Sequence, residues 1–255
     1  MKISIIIPFY NEEANIDSVL EEIYRTNPEA EIIAVNDGST DRTEAVILKH
    51  KGVRLISFDD HHGQSAALYK GLEHARGEVC VMMDGDGQND PADIPKLVAL
   101  LDQADLVCGY RLNRRDTWSR RYASKGANFI RRLVLHDHVR DTGCSLKVMR
   151  KADLRIIIPF DGLHRYIPVF FHQAGLHIRE VPVRHRPRKA GKSKYAIGRR
   201  ALIGLYDLFG VRWLMLRRTG WPNTNFARTE IARERFQESS LASDLPPVAA
   251  RVLTN

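Results

Sequence analysis

One apolar run ends abruptly in two carboxylates, and this stretch constrains the fold more than any other part of the sequence. Residues 79–83 are typical of a buried strand; Asp84 and Asp86 follow at once, with Gln88 two residues later. Alternate residues of an extended segment face the same way, which lets these three side chains converge. Carboxylate and amide oxygens are ligands for hard divalent cations. The stretch therefore predicts a strand that ends in a metal site, at the sheet edge where open α/β proteins bind ligands.

Two simpler interpretations compete with this metal site. An EF-hand calcium loop counted from Asp84 needs a glycine and a glutamate where the sequence has Asn89 and Pro95, so that loop is excluded. A solvated acidic turn is the other alternative, because two aspartates one residue apart are a weak signal on their own.

Apolar runs alternate with amphipathic segments along the first half of the chain. Predicted strands lie at residues 3–8, 31–37, 53–57, 79–83 and 105–111. Predicted helices include residues 16–23, 65–75 and 91–103. This alternation is typical of a parallel, doubly wound α/β sheet with right-handed crossovers. Further along, we predict a turn into a strand at 141–147, a helix at 162–175 and an outer strand at 176–184.

Charge divides the chain into an acidic part and a basic part. Residues 1–104 contain 9 Lys and Arg against 19 Asp and Glu, whereas residues 105–220 contain 26 against 8. The basic part suits anionic partners such as phosphates, a membrane surface or nucleic acid. Its cationic side chains are interleaved with few aromatic residues, which argues against a module that binds nucleic acid.

The cysteines and the N-terminal run bear on the cellular compartment. Cys80, Cys108 and Cys144 are widely spaced and odd in number, which favours reduced thiols in the cytosol. The apolar run at residues 3–7 is broken by Pro8, so it predicts a strand and not a signal peptide. No stretch approaches the ~18 apolar residues that a membrane span needs. We therefore expect any membrane contact to be peripheral, at the cytoplasmic face.

Two basic segments follow the predicted sheet. Residues 186–195 contain five cationic side chains with Gly and Pro, a composition that suits a loop gripping anions; a solvated basic loop is the alternative. Residues 198–218 predict a helix with arginines on one side and a broad apolar face, including Trp213, on the other. That pattern fits a helix lying in a membrane interface, and an ordinary core helix is the alternative. The polar residues 221–255 predict a short helix followed by disorder.

Six ordered segments resemble family 2 glycosyltransferases of the GT-A fold, and they lie at residues 8–12, 36–41, 63–71, 84–91, 109–111 and 188–194. More narrowly, they are similar to the dolichyl- and polyprenyl-phosphate glycosyl synthases. The resemblance implies a mostly parallel, Rossmann-like sheet flanked by helices. We expect this domain to occupy residues 1–197, followed by the amphipathic helix at 198–220 and the polar tail at 221–255.

The resemblance also implies a role for each matching residue. The nucleoside of a GDP- or UDP-linked sugar donor is expected to contact Pro8, Tyr10, Glu12 and Asp37. Mg²⁺ or Mn²⁺ on the donor diphosphate is expected to bind Asp84, Asp86 and Gln88. Phosphates of donor or acceptor are expected to contact Arg111, Arg120, Arg121, Arg188, Ser193 and Lys194.

Two of these assignments leave an alternative open. The spacing around Trp118 differs from the family pattern, which leaves Arg120 and Arg121 as alternatives for one phosphate contact. We expect Asp86, Arg111 and Asp141 to act in catalysis, with Asp141 as an orienting carboxylate; a turn-capping role is the alternative for Asp141.

Two features of many family 2 enzymes are absent from the sequence: a carboxylate base in a Glu-Asp or Thr-Glu-Asp triplet, and a Gln-x-x-Arg-Trp box. A sugar hydroxyl needs a base to take its proton, whereas a phosphate monoester, with a second pKa of ~6, is largely dianionic at neutral pH. The absence therefore favours polyprenyl phosphate as the acceptor and a direct, inverting displacement. A glycosyltransferase with a saccharide or other hydroxyl acceptor is the alternative.

Overall fold

The computed structural model describes residues 1–111, 126, 130–137, 139–187 and 197–217, with side chains from residue 203 onward in the last range. Its strands are β1 (Ile3–Phe9), β2 (Glu31–Asp37), β3 (Val53–Phe58), β4 (Val79–Met82), β5 (Leu106–Arg111), β6 (Lys147–Arg150) and β7 (Ile178–Val183). The α-helices include Ile16–Thr26, Thr43–Ile47, Gln64–His74, Ile94–Val98, Leu163–Gln173 and Ile197–Arg217. Residues 130–135 are also helical.

All seven strands form one sheet in the order β3-β2-β1-β4-β6-β5-β7. β1 pairs in parallel with β2 and β4, and β2 pairs in parallel with β3. β6 is antiparallel to both neighbours, β4 and β5, while β5 and β7 are parallel. The carboxyl ends of β1, β2, β4 and β5 therefore lie along one edge, as the sequence predicts for a mostly parallel sheet.

The sheet buries apolar residues on both faces. Ile5 and Ile7 of β1 belong to a cluster that includes the helix Ile16–Thr26, whereas Ile6 belongs to a second cluster with the helix Gln64–His74. Successive residues of a strand point to opposite faces, so an uninterrupted apolar run is what a strand covered on both sides requires. The fold is thus helix, sheet and helix in three layers.

The three cysteines, Cys80, Cys108 and Cys144, are buried and form no disulfide. Burial raises the pKa of the Cys80 and Cys108 thiols to about 12, so both stay protonated near neutral pH. They serve as small apolar core residues.

The predicted helix at residues 91–103 is divided in the structure. A 3₁₀ turn, Pro91–Asp93, precedes the α-helix Ile94–Val98, and a second 3₁₀ segment, Ala99–Asp102, ends it. The Asp90 carboxylate caps the first turn by accepting the Ala92 N–H at 3.1 Å. Tight turns of this kind are common at helix ends, where a pattern of apolar spacing does not distinguish them from an α-helix.

The helix Ile197–Arg217 has two apolar faces. Leu208 and Val211 are buried in the core beside the helix Leu163–Gln173. Large side chains exposed on this helix include Tyr206, Phe209, Trp213 and Leu216. The broad apolar face predicted from the sequence therefore divides into a face that packs on the core and a face that remains exposed. The membrane-interface interpretation of this helix stays a prediction.

Candidate active site

The turn after β4 carries the two carboxylates. Gly85 fits tightly against Phe9, where a Cβ would lie 2.5 Å from the ring. Gly87 has a φ of +74°, a conformation that favours glycine. The Asp86 carboxylate accepts the N–H of Gln88 at 3.1 Å. The two glycines thus let the chain turn sharply while the carboxylates stay at the carboxyl end of the sheet.

Asp84 lies in an environment that opposes its ionisation. Burial, and then the nearby charge of Asp86, raise the pKa of Asp84 from 3.8 to about 6. Interactions with Ser145, Lys147 and Arg111 lower it in part. Two mutually repelling carboxylates in a partly buried turn are stabilised when a cation binds between them.

The chemistry of this turn fits Mg²⁺ or Mn²⁺. Within the described residues, no three His, Cys, Asp or Glu side chains converge as a metal cluster. Two carboxylates are nevertheless a sufficient protein contribution for Mg²⁺, which keeps several waters and is completed by substrate phosphates. Asp84 and Asp86 match that requirement, and the metal-site prediction for them stays a prediction.

We expect Asp84→Asn to stabilise the metal-free protein. The folded-state pKa of Asp84 is raised above its unfolded value, so the ionised carboxylate destabilises the fold; this cost appears as pH rises from about 4 and is complete above about 6. Removing the charge should add about 1–3 kcal/mol at pH 7.5, or about 2–8 °C in Tm. Thermal unfolding in EDTA measures this change.

Asp102→Asn is the matched control for this prediction, because Asp102 is exposed and its substitution should leave Tm unchanged. The gain from Asp84→Asn should shrink as pH falls from about 6 towards 4 and vanish below that, where Asp84 becomes protonated in both states. A lower Tm for Asp84→Asn at pH 7.5 would contradict the electrostatic account.

Further polar side chains hold the carboxylate turn, and they were not among the predicted site residues. Gln64 donates from Nε2 to Oδ1 of Asp84 at 2.6 Å. Ser145 hydrogen-bonds to Asp84 and donates from Oγ to Oδ1 of Asn89 at 3.0 Å. Such partners fix the orientation of a metal ligand. Gln64 falls within the glycine-bounded segment 63–71, but nothing in its spacing points to Asp84.

Arg111 and Asp141 form a bidentate ion pair beside this turn. Arg111 donates from Nε and Nη2 to the two Asp141 oxygens at 2.7 and 2.8 Å, and both side chains are mostly buried. Burial lowers the pKa of Arg111, but the Asp141 contacts outweigh it and the net shift is upward. The structure therefore brings together two residues predicted to act in catalysis, and it fixes a permanent positive charge near Asp84.

The loop that carries Asp141 is held by two more cations. Arg131 donates from Nη1 to the Thr142 hydroxyl at 2.6 Å. Lys147, only 1% exposed, donates to the carbonyls of Thr142 and Cys144. Carbonyl contacts of this kind compensate the cost of burying an ammonium group. These hydrogen bonds therefore hold in place the loop that carries Asp141, and with it the Arg111–Asp141 pair.

The residues predicted to contact the nucleoside lie at the carboxyl ends of β1 and β2 and in the loop after β1. Tyr10 stacks on His61, with ring centroids 3.8 Å apart. Asp37 is 2% exposed, and its carboxylate accepts the N–H groups of His62 at 2.8 Å and Gly63 at 2.9 Å. Asp37 thus orders the loop beside Tyr10; its predicted contact with the base stays a prediction.

Pro8 and Glu12 lie in the same region. Pro8 is the penultimate residue of β1. The Glu12 carboxylate accepts Nδ2 of Asn15 at 2.5 Å, and the Glu12 N–H donates to the Thr43 hydroxyl at 3.0 Å. This last bond ties the loop after β1 to the start of the helix that follows β2.

The other predicted phosphate ligands, Arg120, Arg121, Arg188, Ser193 and Lys194, lie outside the described residues. Gln88 is described, and its Nε2 donates to the carbonyl of Arg186 at 3.3 Å. Its predicted role as a metal ligand therefore depends on the amide oxygen alone.

Comparison with known proteins identifies the family. The family model described as "Glycosyl transferase family 2" matches residues 4–157, a range that contains both carboxylates and the Arg111–Asp141 pair. The chain belongs to this family. It is a glycosyltransferase, as the motifs predict.

Two curated relatives carry names that describe related activities. "Dodecaprenyl-phosphate galacturonate synthase" from Rhizobium johnstonii is 34% identical over 84% of this chain and 68% of its own length. "Undecaprenyl-phosphate 4-deoxy-4-formamido-L-arabinose transferase" from Edwardsiella ictaluri is 31% identical over 81% of this chain and 66% of its own length. The family 2 chain thus spans about two thirds of each relative. The predicted similarity to polyprenyl-phosphate glycosyl synthases is confirmed.

Solved structures confirm the fold. Glucosyl-3-phosphoglycerate synthase from Mycobacterium tuberculosis, in complex with Mn²⁺ and uridine-diphosphate-glucose, superposes with a TM-score of 0.64 at 22% identity, covering 82% of this chain and 79% of that one. The same enzyme with Mg²⁺ and uridine diphosphate also gives 0.64 at 22% identity, with the same coverages. At this identity the likeness shows the fold alone, and it agrees with the GT-A prediction.

Proposed function

We propose that this family 2 glycosyltransferase moves a sugar from a nucleotide-sugar donor onto polyprenyl phosphate and gives a polyprenyl-phosphate sugar. The observation that carries the proposal is the Arg111–Asp141 pair beside the carboxylate turn. Both Asp141 oxygens are engaged by Arg111, so Asp141 suits an orienting role better than that of a proton acceptor. The cation it orients suits a phosphate. The names of both curated relatives, one a synthase and one a transferase, include a polyprenyl phosphate, which supports this acceptor.

The donor in this proposal is a GDP- or UDP-linked sugar. Its nucleoside would contact Pro8, Tyr10, Glu12 and Asp37. The neighbour of like fold that was crystallised with uridine-diphosphate-glucose supports a nucleotide sugar as the donor class. The base and the sugar are both left for a donor screen to decide.

A divalent cation is part of the proposed site, held by Asp84, Asp86 and Gln88. Mg²⁺ or Mn²⁺ bound there would supply Lewis-acid stabilisation of the nucleoside diphosphate leaving group. Structures of like fold contain Mn²⁺ or Mg²⁺, which supports a divalent ion. In this chain, Gln64 and Ser145 would keep Asp84 oriented for that role.

The proposed acceptor is a phosphate monoester, and its charge decides which side chains the acceptor site needs. Its second pKa of ~6 makes it largely dianionic at neutral pH, so no side chain has to take a proton from it. Arg111 would orient it by charge-assisted hydrogen bonds, with Arg120 or Arg121, Arg188, Ser193 and Lys194 as further proposed contacts. Attack of a phosphate oxygen on the anomeric carbon, as the bond to the nucleoside diphosphate breaks, would invert that centre.

An acceptor competition tests this function. The protein, with Mn²⁺ or Mg²⁺, is given a panel of nucleotide sugars and two lipids of equal length, a short polyprenyl phosphate and the corresponding polyprenol. We expect transfer to the phosphate and none to the alcohol. Transfer to the polyprenol or to free sugars, with polyprenyl phosphate inert, would instead support the alternative of a hydroxyl acceptor.

We also propose peripheral attachment to the cytoplasmic face of a membrane through residues 198–220, with 1–197 as the catalytic domain and 221–255 as a polar tail. No helix in the described residues is long and apolar enough to cross a bilayer. The exposed side chains Tyr206, Phe209, Trp213 and Leu216 lie three or four residues apart, so they share one side of their helix. An aromatic stripe on a strongly basic part of the chain suits an anionic bilayer surface.

Paired substitution of Phe209 and Trp213 by serine tests the attachment. Both side chains are more than half exposed, so the fold should persist, whereas deleting the whole helix would also remove Leu208 from the core. We expect co-sedimentation with phosphatidylglycerol vesicles to fall at least about tenfold, because each buried aromatic contributes about 1.5–3 kcal/mol. Leu48→Ser, at an exposed apolar position elsewhere, should have no effect. Unchanged sedimentation of the double variant would refute the assignment.

A further inference from the structure

His61 lies where the carboxyl ends of adjacent strands meet. It follows β3, Tyr10 follows β1, and Asp37 is the last residue of β2, the strand between them. The turn at Gly38 packs tightly against this loop, because a Cβ there would lie 2.3 Å from the Asp60 carbonyl carbon and 2.5 Å from the His61 nitrogen. Backbone contact therefore fixes where the loop carries His61, whatever its side chain.

Two contacts fix the plane of the His61 ring. Its face stacks on the Tyr10 ring, with centroids 3.8 Å apart and 17° between the planes. Its Nδ1 donates to the Asp37 carbonyl oxygen at 3.3 Å and lies 2.9 Å from Oδ2 of the Asp37 carboxylate. A carbonyl and an ionised carboxylate only accept hydrogen bonds, so Nδ1 carries the ring proton. In the neutral imidazole the other nitrogen, Nε2, is then an acceptor.

The Asp37 carboxylate is committed to the loop that it orders. Oδ1 accepts the His62 N–H at 2.8 Å and the Gly63 N–H at 3.2 Å, and Oδ2 accepts the Gly63 N–H at 2.9 Å. Together with the His61 contact, these occupy the roughly four acceptor positions of a carboxylate. Asp37 is also 2% exposed. A hydrogen bond from a ligand to this carboxylate would therefore have to displace one that holds the loop.

The other ring nitrogen of His61 is available to a ligand. Nδ1 is directed at the buried Asp37, and the part of the chain that the structure describes gives Nε2 no hydrogen-bond partner. The His61 side chain is 38% exposed, so a ligand can approach it. At the end of the same loop, Gln64 donates from Nε2 to Oδ1 of Asp84 at 2.6 Å. The loop that presents His61 thus also reaches the site proposed for the donor diphosphate.

We propose that His61 selects the base of the nucleotide sugar: its Nε2 accepts a hydrogen bond from a ring N–H of the base, while Asp37 and Tyr10 hold the imidazole. Uracil carries such a hydrogen on N3 and guanine on N1, whereas the same atoms of cytosine and adenine carry a lone pair. A lone pair that faces Nε2 replaces the hydrogen bond by repulsion. This inference rests on the proposed function, and it gives a physical reason for a uracil or guanine base. No motif in the sequence marks His61.

Calorimetric binding of four nucleoside diphosphates in the presence of Mn²⁺ tests this role without any acceptor. UDP and CDP form one matched pair, and GDP and ADP form the other. We expect the wild-type protein to bind UDP more tightly than CDP, or GDP more tightly than ADP, by at least about tenfold, because the disfavoured base loses a hydrogen bond and gains a repulsive contact.

Three substitutions separate holding the ring from reading the base. His61→Leu removes both nitrogens. His61→Asn keeps an amide near Asp37 but has no group at the position of Nε2, whereas His61→Gln can place an amide oxygen there. We expect the base preference to fall to about twofold or less in the first two variants and to stay within about threefold of wild type in His61→Gln. The loss should appear as weaker binding of the preferred nucleotide, with its partner within about twofold of wild type.

His62→Leu is the matched control. His62 is also exposed in this loop, but its ring lies edge-on to Phe58, with centroids 5.4 Å apart, and it contacts Asp37 through its backbone N–H. This variant should bind all four nucleotides as the wild type does. An unchanged preference in His61→Leu would overturn the inference and indicate that another group reads the base. An equal loss for all four nucleotides would also overturn it, because a merely structural role weakens every nucleotide alike.

Failure of the proposed acceptor is a separate outcome. Transfer to polyprenol in place of polyprenyl phosphate would refute that acceptor, while a base preference that depends on His61, measured without acceptor, would still support the inference. Conversely, a wild-type protein without preference in either nucleotide pair would overturn the role of His61 even if it transfers a sugar to polyprenyl phosphate.

Discussion

Asp86→Asn is expected to lower turnover at least about 10³-fold while leaving the fold intact. The Asp86 carboxylate accepts the Gln88 N–H at 3.1 Å in the wild type. The amide keeps the size of the side chain and an oxygen that can accept the same N–H, so the turn should persist. What it loses is the negative charge that would bind the divalent ion on the donor diphosphate. Steady-state transfer from a nucleotide sugar to polyprenyl phosphate, with circular dichroism as the folding check, measures the effect.

Chelation and metal titration provide the control. Wild-type activity should vanish in excess EDTA and return with Mn²⁺ or Mg²⁺, whereas Asp86→Asn should stay inactive at millimolar metal. Asp102→Asn, at an exposed carboxylate, should match wild type throughout. Wild-type turnover by Asp86→Asn, or full activity in EDTA, would refute the metal assignment.

Arg111→Lys is expected to lower kcat/KM for polyprenyl phosphate about 10²–10³-fold. Lysine keeps the charge but cannot form the bidentate pair that Arg111 makes with Asp141 at 2.7 and 2.8 Å, so the cation would no longer be fixed for a phosphate. Asp141→Asn should cost less, about tenfold, because Arg111 remains and keeps one acceptor oxygen. Initial rates at varied acceptor concentration measure both variants.

The dependence of rate on pH separates orientation from proton transfer at Asp141. An orienting carboxylate predicts that Asp141→Asn lowers kcat/KM by a similar factor at every pH. A general base predicts that the variant loses the acid limb of the profile together with nearly all activity, and that result would contradict the proposed role. Arg25→Met, at an exposed arginine, is the control and should have no effect.

The sequence predicted the strands well because their pattern is local. Strands β1, β2 and β4 are short apolar runs flanked by turn residues, and each lies within two residues of its predicted position. The placement of β6 between β4 and β5, antiparallel to both, had no local signal. Its four residues include the buried Lys147, which breaks the expected apolar character of an internal strand.

The site was predicted only in part, because a sequence pattern reports local contacts and not those between distant parts of the chain. Asp84 and Asp86 share one turn, so their spacing alone predicts convergence. The contacts that orient Asp84 join distant parts of the chain: Gln64 is 20 residues away from it, and Ser145 lies much further along the sequence. Such partners depend on strand order and helix placement, which a local pattern does not contain.

The helix at the end of the described chain shows a further limit. Amphipathic spacing left a membrane-interface helix and a core helix as alternatives, and the structure buries Leu208 while it leaves Trp213 exposed. A helical wheel groups residues by angle, but the neighbour that covers each angle is set by tertiary packing. The buried face here depends on contact with the helix Leu163–Gln173.

The chemical bond formed in the product tests the central claim most directly. We would incubate the protein with Mn²⁺, its preferred nucleotide sugar and a short polyprenyl phosphate, and follow the lipid by ³¹P NMR. The account predicts that the monoester signal is replaced by a phosphodiester signal coupled to the anomeric proton of an inverted sugar. A sugar attached through a hydroxyl, with the lipid monoester signal unchanged, would contradict it.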